Sequence, residues 1–147
     1  MSDTSTTPAP YAKPLPDLRP EGDPFWAGTK EHKLLLPTDA EDKPFWYPRA
    51  YAPGTLDPVG WTEAKGTGTV YTYSVHYIGP SKAYKGDPPH VVALIDMDEG
   101  VRMMSNLVKD EPDYPSIDPE DVSIGMKVRV VFHDVTDEIT LPKFVAA

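Results

Sequence analysis

Eighteen of the 147 residues are proline, where about 5% is ordinary. A proline ring fixes φ and removes the amide donor, so helix interiors and central strand positions are largely closed to it. Many segments of this chain must therefore be extended, turned or edge-like. No cysteine is present, which excludes disulfides and thiolate chemistry alike.

From Trp61 onward the apolar pattern has period two. The stretch "GTGTVYTYSVHYIG" reads as one long strand, with Thr69, Tyr71, Tyr73, Val75 and Tyr77 on one face and Val70, Thr72, Ser74 and His76 on the other. Residues 90–96 and 101–108 read as a hairpin turned at Asp98-Glu99-Gly100. After a capped turn at Asp118-Pro119 and a glycine at Gly125, Val128, Val130 and Phe132 share the face of a fourth strand. The segment "EITLPKF" supplies the fifth, with Pro142 expected at a sheet edge. Five strands with one polar interruption over residues 61–147 predict a mainly β fold, a five-stranded antiparallel OB-fold barrel, with a β-sandwich as the competing architecture.

Three shorter pieces precede the barrel. Residues 1–21 form a Pro-rich tail, a solvated arm or a PxxP-type ligand. Residues 22–36 predict a short helix over 24–32, capped by Asp23 with Pro24 at its first position, and then a brief strand at Leu34 to Leu36 ending at Pro37. Residues 37–60 place two polar turns, Asp39-Ala40-Glu41-Asp42 and Ala52-Pro53-Gly54-Thr55, on either side of an aromatic core. Each turn has the two-residue gap of a C-x2-C zinc hook.

The formal charge of -9 repels phosphate backbones and argues against nucleic acid as the main partner. No apolar run marks a secretory signal or a membrane span, so no membrane partner and a cytoplasmic location are expected. The serines lie in no G-x-S-x-G elbow, and neither G-x-G-x-x-G nor G-x-x-x-x-G-K-[ST] occurs. His32, His76, His90 and His133 are scattered, either as surface imidazoles or as parts of a His and Asp metal site assembled by folding. No catalytic residue is assigned.

Taken in order, "PFW", "LLL", the two-turn knuckle, "YPR", "GTVYTYSV", "VVALIDMDEGVRMMSNL", "IGMKVRVVF" and "TLPKF" resemble the zinc-ribbon and OB-fold family of acyl-CoA-associated proteins, long catalogued as a domain of unknown function. The resemblance covers about residues 22–145. Members carry two C-x2-C pairs that hold structural zinc in a rubredoxin-like ribbon. Aligned through Tyr47-Pro48-Arg49, those four positions fall on Asp39, Asp42, Ala52 and Thr55. The resemblance thus implies a degenerate, metal-free knuckle, with Pro44, Phe45, Trp46, Tyr47, Pro48, Tyr51, Pro53 and Pro58 offering aromatic burial and chain stiffness in place of zinc.

The same resemblance implies a non-catalytic OB-fold subunit in a hetero-oligomer. Its partner would be a thiolase-like catalytic subunit that cleaves carbon–carbon bonds of acyl-CoA thioesters, by thiolysis or retro-aldol reaction, as in steroid or lipid side-chain degradation. No cofactor is expected on this chain, and a coenzyme A thioester is the expected substrate of the complex. In the loop "HYIGPSKAYKGDPPH", Lys82, Lys85 and Tyr84 could receive the phosphates and adenine of CoA, or form a solvated hairpin loop. Two other readings stand beside this one. A stand-alone OB module would bind a ligand or single-stranded nucleic acid by stacking on Tyr71, Tyr73 and Tyr77. A small self-sufficient enzyme would use His76 or His133 as base.

Overall fold

A computed structural model describes residues 11–147, so the first ten residues of the expected tail lie outside the described residues. Helix α1 spans Asp23–Lys30 with Pro24 in its first turn, and it buries Phe25, Gly28 and Thr29. It stops two residues short of the expected end. His32 takes φ 58°, and the amides of Glu31 and Lys33 both donate to the Gly28 carbonyl at 2.9 Å. That left-handed residue turns the chain back across the helix. Gly28 permits the crossing, because a Cβ there would come within 2.8 Å of the Leu35 side chain.

Strand β1 runs over Leu35–Thr38 and does not end at Pro37 as expected. It pairs antiparallel with β2, Gly60–Glu63, placing Pro37 opposite Trp61. In a two-stranded ribbon each strand has a free edge, so a proline's missing amide need not cost a ladder bond.

The remaining strands form a closed barrel: β3 Thr67–His76, β4 His90–Met97, β5 Arg102–Leu107, β6 Lys127–Asp134 and β7 Thr140–Ala146, in the order β3-β4-β5-β7-β6. Every neighbouring pair is antiparallel except β5 and β7, which are parallel and meet only at Leu107 and Phe144. The barrel is thus the OB-fold expected from the sequence, with the short helix before it. The hairpin turn is also as expected, with Gly100 at φ 91° donating its amide to the Met97 carbonyl at 2.9 Å. Val70, Val91, Ile95, Leu107, Val128 and Phe144 fill the interior, and α1 lies against β1, β6 and β7.

The strict alternation expected of β3 fails at one residue. Its register against β4 shifts between Val70 and Thr72, a bulge that inserts Tyr71 and reverses the facing of everything after it. Before the bulge Gly68 and Val70 point inward; beyond it Tyr73 and Val75 pack on the core. Tyr71 is exposed beneath the Arg102 guanidinium, 3.5 Å from its ring centroid. Tyr77 lies past the end of the strand, also exposed. The three tyrosines therefore do not share a stacking face. Among the described residues no helix is long and apolar enough to cross a membrane.

Candidate functional site

Pro142 lies between Leu141 and Lys143, two residues that line a candidate cavity. It sits in β7 two residues before the single β5–β7 pairing, and it has no amide to offer across the seam. Ser105 on β5 answers by donating its hydroxyl to the Pro142 carbonyl at 3.0 Å. Over the outer face of the barrel, where Val92, Leu141 and Lys143 alternate with the inward-facing Val91, Ala93 and Phe144, lies this cavity of about 510 Å³. Val92, Leu107 and Leu141 are among its apolar walls, with Asn106 and Ser116 offering polar atoms. Small-molecule sites commonly measure about 300–1,000 Å³. The cavity touches the second and third barrel strands and the loop between the first and second, a region where OB folds take ligands.

Its most reactive feature is a pair of bases. The Lys143 Nζ lies 2.9 Å from His133 Nδ1. Burial pushes the Lys143 ammonium down to about 8, with nearby Lys13 acting in the same direction. Burial, and after it the charge of Lys143, also lowers His133, so a neutral imidazole accepts from the ammonium. The rings of Tyr114 and Tyr11 stand edge-on to His133 at 5.5 and 6.2 Å. The segment from Tyr11 to Pro14 lies along the cavity, where Lys13 pairs with Asp87 at 2.8 Å and sits 5.2 Å from the Tyr84 ring centroid. His133 is one of the two bases considered from sequence. Lys143 carried no sequence signal beyond its place next to Pro142.

The three residues expected at CoA are divided. Lys82 and Tyr84 bound a single 3-10 turn, whose Ser81 cap accepts the Ala83 amide at 3.3 Å. Tyr84 faces the main cavity and stacks on His90 at 5.5 Å, while His90 stacks on His76 at 4.8 Å. Folding thus brings two of the scattered histidines together, and burial followed by the charge of His76 lowers His90. Lys85 borders a smaller cavity of about 190 Å³ with His76, Tyr77 and Tyr84. Lys82 is exposed and borders neither cavity.

Comparison with known proteins gives this geometry a context. Residues 61–133 match the family model described as the ChsH2 C-terminal OB-fold domain. The solved structure of an Ltp2-ChsH2(DUF35) aldolase superposes with a TM-score of 0.74 at 30% identity, covering 90% of this chain and 98% of that one. The chain belongs to the ChsH2 (DUF35) family. Among curated relatives, a probable enoyl-CoA hydratase alpha subunit of Thermomonospora curvata is 32% identical over 138 residues, 90% of this chain and 39% of that protein. The 3-oxo-4,17-pregnadiene-20-carboxyl-CoA hydratase alpha subunit of Mycobacterium tuberculosis is 31% identical over 115 residues, 77% of this chain and 34% of that protein. The chain therefore spans little more than a third of either curated relative.

The zinc that the resemblance attaches to the ribbon does not fit this member of the ChsH2 family. Structural zinc needs four donor atoms in a tetrahedron, and Ala52 has none. The Asp39 carboxylate is engaged locally, accepting the amides of Glu41 and Lys43 at 2.9 and 3.0 Å. The Thr55 hydroxyl donates to the Ala52 carbonyl at 3.2 Å and accepts the Asp57 amide at 3.1 Å. Asp42, at φ 60°, only completes the first turn. Among the described residues no three His, Asp or Glu side chains come together as a metal site. Beneath the two turns Trp46 packs on Phe25 at 5.2 Å and joins the barrel core. Tyr47, Tyr51 and Leu56 remain exposed on the outside.

Proposed function

We propose that this chain is the OB-fold subunit of a hetero-oligomeric complex that cleaves carbon–carbon bonds of acyl-CoA thioesters in steroid or lipid side-chain breakdown. A thiolase-like partner supplies the catalytic residues. The observation that carries this reading is the match to nearly the whole of a chain in the Ltp2-ChsH2(DUF35) aldolase. The hydratase alpha subunits named above also act, by their names, on CoA thioesters. Within the complex, this subunit completes the assembly, and Tyr84 and Lys85, with Lys82 at the loop tip, flank the path of the CoA nucleotide. Residues 1–21 act as an arm, 22–36 as a helix and strand support, 37–60 as a metal-free knuckle that docks on the partner, and 61–147 as the barrel.

Co-expression with a thiolase-like protein encoded beside this chain tests the reading. A single species of summed mass on size exclusion, cleaving a 3-hydroxyacyl-CoA or 3-ketoacyl-CoA only when both chains are present, is the expected result. Separate elution together with full activity of the partner alone overturns it.

The metal-free knuckle has its own test. Purified protein treated with a strong chelator should melt at the same temperature as untreated protein, within about 1 °C, because its turns are held by Asp39 and Thr55. Loss of a structural zinc site would remove on the order of 10 kcal/mol of folding energy. A chelator-induced drop of many degrees would therefore restore the metal.

A further inference from the structure

We propose that Lys143 is a covalent amine site. It condenses with an aldehyde or ketone admitted to the cavity between the arm and the outer face of the barrel, with His133 relaying the protons. A nucleophile within hydrogen-bond reach of a base, itself held by a third group, is the arrangement by which weak nucleophiles are activated. Here the nucleophile and base are 2.9 Å apart, and the Tyr114 ring edge bounds the imidazole. The cavity gives a small carbonyl compound room to reach Nζ, and its apolar walls suit a hydrocarbon body.

The reaction balances without a further reagent. The Nζ lone pair bonds to the carbonyl carbon, and the carbonyl electron pair passes to oxygen. His133 relays to that oxygen the two protons that Nζ loses, and the oxygen departs as water. An imine remains. The free amine must be present for the first step, and an ammonium of ordinary pKa supplies less than about a thousandth of it at pH 7.

The charges around Nζ favour the free amine. Lys13 on the arm disfavours the ammonium, although Asp87 offsets part of the Lys13 charge across their 2.8 Å ion pair. Tyr11, Tyr84 and His90 border the same space without an ion pair to Lys143 among the described residues. Asp113, which lines the same cavity, and Asp134 act on His133 in the direction opposite to Lys143. No carboxylate within ion-pairing distance holds Lys143 charged, among the described residues.

The test uses the full chain, propanal and sodium cyanoborohydride, with each of the ten lysines followed by peptide mass. At pH 7, Lys143 should be alkylated about tenfold or more faster than exposed lysines such as Lys30 and Lys82, the direction set by its larger free-amine fraction. Its rate should level off above a pH of about 8, while the exposed lysines continue to gain. His133→Asn should slow Lys143 by about tenfold or more and leave Lys30 and Lys82 unchanged, since proton relay by a positioned imidazole has at least that effect. The wild-type experiment depends on no variant folding. Labelling in which Lys143 is among the slowest lysines, or shares their pH profile, overturns the proposal. An unchanged rate in His133→Asn removes the relay. Because the chain is labelled alone, the outcome is independent of whether a catalytic partner is found.

Discussion

Phe144→Ala should lower the free energy of unfolding by about 4 kcal/mol, within the range of about 3–5 found when buried phenylalanines are truncated. Phe144 is fully buried and stands at the only point where β5 and β7 pair. Its own backbone contributes the closing hydrogen bond, from the Val108 amide to its carbonyl at 2.8 Å. The substitution leaves that bond available and removes only the ring, so the loss measures packing at the seam. Equilibrium urea unfolding with the slope held common checks it. Met104→Ala, on the exposed side of β5, should change the unfolding free energy by about 0.5 kcal/mol or less and serves as the comparison. A loss below 1 kcal/mol for Phe144→Ala would mean that the barrel closes through its antiparallel ladders alone.

That seam marks the boundary between what the sequence discloses and what it conceals. Period two in β4 and β6 was legible because each strand keeps one face inward along its length, with Val91, Ala93, Ile95 and Met97 buried in turn on β4. The same rule misplaced Tyr73, because one extra residue at Tyr71 flips the facing, and nothing in an alternating string marks where a bulge falls. Pro142 was expected at a sheet edge, and it lies instead within a closed barrel, paired with Phe132 on β6 and next to the short β5–β7 seam. The cavity could not be read at all. Its lining comes from the arm, two strands of one hairpin, the loop near Tyr114 and the last two strands; the β6–β7 hairpin sets Lys143 beside His133, and folding of the arm and the other strands around that pair makes the cavity. The knuckle was readable in the opposite way. Its turns kept the spacing of a zinc hook, and the residue types at Asp39 and Thr55 fitted them to close those turns through their own side chains.

The second large effect is expected on assembly, at the knuckle proposed to dock on the partner. Leu56 is 84% exposed and Tyr51 54%, at the tip and flank of a turn whose backbone is already closed by Thr55. Large apolar groups held outward on a rigid turn contribute nothing to the barrel core, and desolvating them against a partner is favourable. Tyr51→Asp combined with Leu56→Asp should weaken binding to a thiolase-like partner by about a hundredfold or more, the scale of losing anchor residues at the centre of an interface. Titration calorimetry on the purified subunits checks this. The melting temperature of the isolated chain should remain nearly unchanged, because neither side chain packs in its core. Ile124→Asp makes the same kind of change at an exposed residue of the barrel module, and it should alter binding by less than about threefold if the knuckle is the docking element. A reversed pattern, with Ile124→Asp disruptive and the double knuckle variant silent, would move the contact to the barrel and leave the knuckle as a support for α1 and the aromatic cluster of Phe25 and Trp46.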